Sequence, residues 1–164
     1  MTWITGHWGI VLAAAAACAV TATLGGFATR IGPWYHGLRK PAWQPPDWLF
    51  GPAWTLIFGF IAASGVLAWW GASDWGRRAL VLALFALNAV LNVLWSVLFF
   101  TWRRPDWALI EVVALWLSIL ALVIAFIPFA LPASLLLLPY LAWVAFAAVL
   151  NRAIVRLNAP FRNP

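Results

Sequence analysis

Four long stretches of this chain carry no charged side chain, and they constrain the fold more than any other feature. No Lys, Arg, Asp or Glu occurs before Arg30, from Trp48 to Ser73, from Ala79 to Trp102, or from Val112 to Asn151. A helix needs about 20 apolar residues to cross a bilayer. The last stretch is long enough for two crossings. Pro128 and Pro132 mark its break, because proline removes a backbone donor and clashes inside a helix. The pattern predicts an all-α integral membrane protein. It is one domain, a bundle of five transmembrane helices at about 7–29, 49–71, 78–101, 106–127 and 132–153, with a loop at about 30–48.

Composition supports the same class. Hydrophobic residues make up 66% of the chain and charged residues only 9%, with a mean hydropathy of +0.95. A soluble globule carries about 25% charged residues. No Lys or Arg precedes Arg30, so the charged segment of a cleaved signal peptide is missing and the first span is expected to be retained. The single cysteine, Cys18, rules out an internal disulfide or a cysteine metal cluster and reads as packing.

A net charge of +6 raises the question of nucleic acid, but the placement of the charge answers it. With five spans, Arg77 and Arg78 fall on one side of the membrane. Arg30, Arg39, Lys40, Arg103, Arg104, Arg152, Arg156 and Arg162 fall on the other, eight basic residues against two. Basic residues concentrate on the cytoplasmic side. The 30–48 loop and the carboxyl terminus are therefore expected in the cytoplasm, with the lipid bilayer as a partner and no nucleic acid.

Most of the tryptophans read as interfacial anchors. Trp3, Trp8, Trp69, Trp70 and Trp75 fall near the outer surface, and Trp43, Trp48, Trp102 and Trp107 near the inner one. Trp54, Trp95, Trp116 and Trp143 lie deeper and are not explained this way. The third span has two faces. Ala79, Ala83 and Ala86 form a small-residue stripe that suits either a homodimer seam or another helix of the same chain. Asn88, Asn92, Trp95 and Phe99 form the opposite stripe.

Asn88 and Asn92 lie within a span, where an unpaired amide costs several kcal/mol. They either bond a neighbouring helix or line a polar spot in a cavity. In the fifth span Tyr140, Trp143, Ala147 and Asn151 share one stripe. With Trp54, Asn92 and Trp95, these side chains converge in the cytoplasmic half of the bilayer, where they suit a flat, mostly apolar ligand. Glu111 is read as snorkelling or ion-paired at the interface, close to Arg103 and Arg104. No metal-ligand cluster and no nucleophile–histidine–acid set can be assembled, since His7 and His36 fall on opposite faces. His36 reads as an ordinary loop histidine, although it is the one conceivable axial ligand for a haem.

The stretch "WYHGLRKPAWQPPDWLFGPAWT", Trp34 to Thr55, holds four tryptophans and four prolines. It resembles the first-loop signature of the TspO/MBR family, W-Y-x-x-L-x-K-P-x-W-x-P-P-x-x-x-F-x-x-x-W-T. "LNVLWSVLFF" resembles the third-helix motif of that family, and "PYLAWVAFAAVLN" its fifth-helix motif. The resemblance implies a five-helix bundle, usually dimeric, in a bacterial cell membrane, with a cavity open toward the first loop. It implies binding of protoporphyrin or haem as a ligand, with no cofactor required. By motif, Trp54, Asn92, Trp95, Trp143 and Ala147 would line the cavity under a lid of Tyr35, Trp43 and Pro45. Asn88, Phe99 and Tyr140 belong to the same expected site through the stripes described above.

Two activities stay open: a sensor or translocator of tetrapyrroles, and a light- and oxygen-dependent porphyrin-degrading enzyme using Trp54 and Trp143. Two departures stand out. The tyrosine of the animal cholesterol motif is replaced by Arg152 in "LNRAIVR", and the usual tyrosine after "WT" by Phe58 or its neighbour Ile57.

Overall fold

The computed structural model describes the backbone of residues 2–161 and the side chains from Trp8 onward. The side chains of Trp3 and His7, together with Arg162 and Pro164, lie outside the described residues. The helices in chain order are α1 (Thr2–Ala28), α2 (Pro33–Gly37), α3 (Asp47–Gly71), α4 (Trp75–Ser96), a π-helical segment (Val97–Thr101), α5 (Pro105–Phe126), α6 (Leu131–Leu136) and α7 (Leu138–Asn158). Five stretches are long and apolar enough to span a membrane: Trp8–Ala28, Asp47–Gly71, Trp75–Thr101, Pro105–Phe126 and Leu131–Asn158. The described residues contain no strand.

The helix ends follow from local chemistry. Asp74 caps α4 by accepting from the Arg77 amide at 2.9 Å, which ties up one of the orphan donors of a helix start and holds the Asp74 carboxyl below its usual range. Pro46–Asp47 and Pro105–Asp106 open α3 and α5 without a side-chain cap, with proline needing no donor and a carboxylate favoured at a helix start. The turn between the π segment and α5 is so short that Arg103 sits in the left-handed region, at φ 55°.

The fifth span runs further than expected and is broken within. The Leu137 amide bonds the Ser134 carbonyl, which leaves the Ala133 carbonyl without its usual helical partner. Ser64 Oγ of α3 donates to that carbonyl at 2.8 Å, and Ser134 Oγ donates to the Val123 carbonyl at 2.6 Å. These bonds satisfy a break that would otherwise strand backbone groups in hydrocarbon. The α3 end is held closely against the loop leading into α6. A Cβ on Gly71 would come within 2.5 Å of the Phe129 carbonyl oxygen, so only glycine fits there.

Around the bundle, α1 packs on α3 and α4, α4 on α5, α5 on α7, and the α6–α7 pair closes back onto α3. The half far from the 29–46 loop is filled by buried side chains, among them Ile61, Ala68, Val81, Leu122 and Phe126. The half beneath the loop is not filled. Ala79, Ala83 and Ala86 are all exposed, so no other helix of this chain covers the small-residue face. Of the two alternatives for that face, contact within the chain is removed.

Candidate functional site

The unfilled half encloses a cavity of about 840 Å³. That is within the range of small-molecule sites, about 300–1,000 Å³. Small residues of α1 (Ala15, Ala19, Ala22 and Gly25) form one wall and aromatic residues the others. Trp54 and Phe58 come from α3, Trp95 from α4, Phe99 and Phe100 from the π segment, and Trp143 and Ala147 from α7. Polar side chains enter sparingly, among them Asp47, Asn92, Ser96 and Asn151.

The π turn has a direct consequence for this wall. It widens the helix end, and both Phe99 and Phe100 reach the cavity although they are neighbours in sequence. Trp95 stacks on Phe99 with centroids 5.2 Å apart, and Phe99 lies 4.7 Å from Phe100. π turns inside α-helices frequently mark functional sites. No sequence signal distinguished this turn from regular helix.

Over the mouth lies the 29–46 loop with α2 embedded in it. Tyr35 is buried, and its hydroxyl donates to Asp47 Oδ1 at 3.0 Å. Gln44 Nε2 donates to both the Tyr35 hydroxyl (3.3 Å) and Asp47 Oδ1 (3.2 Å). Burial, with the Asp47 charge beside it, pushes the Tyr35 hydroxyl up to about 12, so it remains a neutral donor at any physiological pH. Lys40 Nζ sits 3.5 Å above the Tyr35 ring, a cation–π contact. Asn158, at the end of α7, holds the loop by two bonds of 2.8 Å to the Arg39 backbone, one accepted from the amide and one donated to the carbonyl. Trp34 packs edge-on against Phe99, and Trp43 against Phe146.

Of the residues expected at the site, Tyr35, Trp54, Asn92, Trp95, Phe99, Trp143 and Ala147 stand on the cavity wall. Trp43, Pro45, Asn88 and Tyr140 do not. Trp43 lies half exposed, with its ring against Phe146. Asn88 and Tyr140 are locked behind the wall in a polar chain. Asn88 Nδ2 donates to Ser118 Oγ (2.9 Å), Tyr140 Oη donates to Asn88 Oδ1 (3.2 Å), and Asn92 Nδ2 donates to Tyr140 Oη (3.0 Å). The two asparagines thus divide the alternatives between them: Asn88 bonds neighbouring helices, while Asn92 does so and also borders the cavity.

Asn151 bonds across to the start of α5. In the amide orientation that satisfies both neighbours, it donates to the Pro105 carbonyl (3.0 Å) and accepts from the Leu109 amide (3.1 Å). The expectation for Glu111 needs correction. It neither snorkels nor pairs with Arg103 or Arg104. Its side chain is buried, and Arg104 instead bonds Asp106, with Nε 2.8 Å from Oδ1. Glu111 lies on the α5 face that packs inward with Ala108, Leu115 and Ser118, so its carboxyl is turned away from the surface. His36 is exposed and off the wall, and no group of His, Cys, Asp and Glu among the described residues could hold a metal ion.

With this geometry in view, a family model described as the TspO/MBR family matches residues 13–157, nearly the whole chain. The chain belongs to the TspO/MBR family. Within it, a tryptophan-rich protein TspO of Chlorobaculum tepidum is 42% identical over 135 residues, covering 80% of this chain and 84% of the relative. The human translocator protein is 34% identical over 131 residues, covering 79% and 78%. A tryptophan-rich sensory protein of Cereibacter sphaeroides is 35% identical over 153 residues and covers 92% of both chains. Membership of the TspO/MBR family and the five apolar helices make this a multi-pass integral membrane protein with a sensor or translocator kind of role.

Proposed function

We propose that this TspO/MBR protein takes a flat, largely apolar tetrapyrrole such as protoporphyrin into the cavity beneath the 29–46 loop, and senses it or passes it on. The observation that carries the reading is the cavity itself: about 840 Å³, walled by Trp54, Trp95, Phe99 and Trp143, under a hydrogen-bonded lid. Aromatic faces stack on a planar ring, and a lid already held in place loses little entropy when a ligand orders it. Since no histidine among the described residues lines the wall, ring stacking rather than iron ligation would carry the affinity, which favours a metal-free porphyrin over haem. Fluorescence quenching titrations of the purified protein with protoporphyrin are expected to give a low micromolar Kd, about 8 kcal/mol. An absence of saturable quenching would refute the reading.

The second reading, light-driven degradation of the porphyrin, draws on Trp54 and Trp143 both reaching the cavity. Its test is the loss of bound porphyrin absorbance under light and oxygen.

The exposed Ala79–Ala83–Ala86 stripe fits a homodimer seam, because small residues let helix backbones approach closely in lipid. Ala83→Leu is expected to convert the detergent-solubilised protein to monomer with ligand binding retained, as read by light scattering. A dimer unchanged by the substitution would place the seam elsewhere. For orientation, the excess of basic residues on the side of the 29–46 loop supports a cytoplasmic location for that side and for the carboxyl terminus. A reporter fused after Pro164 and active only outside the cell would reverse that assignment.

A further inference from the structure

Among the described residues, two buried polar groups on the helices beneath the loop have no hydrogen-bond partner. Glu111 is 8% exposed, and neither carboxylate oxygen accepts a hydrogen bond. The indole Nε1–H of Trp95 is also closed off and donates to nothing. Leaving either group unpaired in hydrocarbon is costly, and far more so for the acid.

Helix register places the two at one level. α4 and α5 run antiparallel, and Asn88 Nδ2 donates across to Ser118 Oγ at 2.9 Å. Two helical turns from that pair toward the connecting turn is about seven residues on each helix, which returns to the same face within about 20°. On α4 that step arrives at Trp95, and on α5 at Glu111. The π segment begins at Val97, beyond Trp95, so it does not disturb this register. Arg103, at the middle of the connection, is equidistant in sequence from both members of each pair. A glutamate and a tryptophan together bridge the roughly 8–10 Å between packed helix axes.

We propose that Glu111 is the hydrogen-bond acceptor of the Trp95 indole, and so a positioning residue for the aromatic wall of the cavity. Trp95 lines the cavity and stacks on Phe99. Its orientation decides whether the wall offers a ligand an indole face or an edge. Closing the bond breaks no other, because neither partner is engaged. Arg104 bonds Asp106, and neither Glu111 oxygen accepts a hydrogen bond from it.

The test is nitrogen-15 NMR of the tryptophan indoles in the full chain, with Trp95→Phe identifying the Trp95 signal. In Glu111→Leu the Trp95 indole proton is expected to move upfield and split as the ring samples more than one orientation. Glu111→Gln keeps a carbonyl acceptor and should hold a single signal between the two. An unmoved Trp95 signal in both variants overturns the pairing. Where Glu111→Leu fails to fold, Glu111→Gln decides alone: an upfield shift supports the bond and no shift refutes it.

A second arm rests on the tetrapyrrole reading. Glu111→Leu should weaken protoporphyrin binding about tenfold, the order of one buried hydrogen bond, and Glu111→Gln much less. A moved indole signal with undiminished affinity would keep the bond but refute the positioning role. Failure of the wild-type protein to bind protoporphyrin would sink the tetrapyrrole reading and leave the indole result standing.

Discussion

Trp143→Ala is expected to weaken protoporphyrin binding by about 1–3 kcal/mol, from the apolar area it withdraws from a ligand. Trp143 packs against Phe50 and Phe146, with centroids 5.8 and 5.6 Å away, so its ring is held by neighbours on α3 and α7. It also lines both the cavity wall and a second groove between α3 and α7, formed by residues such as Ala53, Phe60 and Pro139. Deleting the indole therefore removes a stacking face and thins the partition toward lipid. Trp143→Phe keeps a ring in the partition and should cost little affinity. If the indole acts as an electron donor to photoexcited porphyrin, the phenylalanine variant should bind normally yet stop bleaching the ligand. Trp116→Ala is the control, because Trp116 packs on the core and takes no part in the cavity wall. Equal losses at Trp116 and Trp143, measured by the same quenching titration, would mean the ligand lies elsewhere.

The spans were legible because a bilayer leaves the backbone little choice. Uncharged runs of sufficient length must become helices that satisfy their own hydrogen bonds. Exact ends were less so: α7 continues to Asn158, past the basic residues Arg152 and Arg156, because charge at a helix end can snorkel without ending the helix. Within the site, Trp54, Trp95 and Trp143 could be placed by spacing and depth. Asn88 and Tyr140 shared the stripes of cavity residues yet bond each other behind the wall, since a helical stripe records a face and not which neighbour fills it. The π turn that exposes Phe100 and the contact of Asp47 with Tyr35 depend on tertiary packing, which no local pattern encodes. Glu111 was misread for a related reason. Its position near the inner surface invited pairing with Arg104, but Asp106 lies two residues from that arginine and reaches it first.

Tyr140→Phe tests whether the polar chain behind the wall holds the bundle together. Tyr140 is fully buried, and its hydroxyl links the two asparagines of α4. Phenylalanine fills nearly the same volume, so packing is preserved while Asn88 Oδ1 and Asn92 Nδ2 each lose a partner. The two are not stranded equally. Asn92 borders the cavity and can turn to water or ligand there, whereas Asn88 lies behind the wall and is 4% exposed. One stranded buried acceptor costs about 1–3 kcal/mol, and thermal melting in detergent is expected to fall accordingly. Adding Asn88→Leu should recover much of that loss, because removing both partners of a buried bond is far cheaper than removing one. Ser118 tolerates the second change, since its hydroxyl already donates to the Leu115 carbonyl at 2.7 Å. A Tyr140→Phe protein as stable as the wild type would show that Asn88 finds another donor. A double variant less stable than the single would show that the chain contributes more than the satisfaction of its own polar atoms. Trp54 rests edge-on against Tyr140, with centroids 6.1 Å apart, so a loosened Tyr140 should also reach the cavity. The expected sign is a modest loss of protoporphyrin affinity in Tyr140→Phe, smaller than that in Trp143→Ala, because the wall residue itself remains in place.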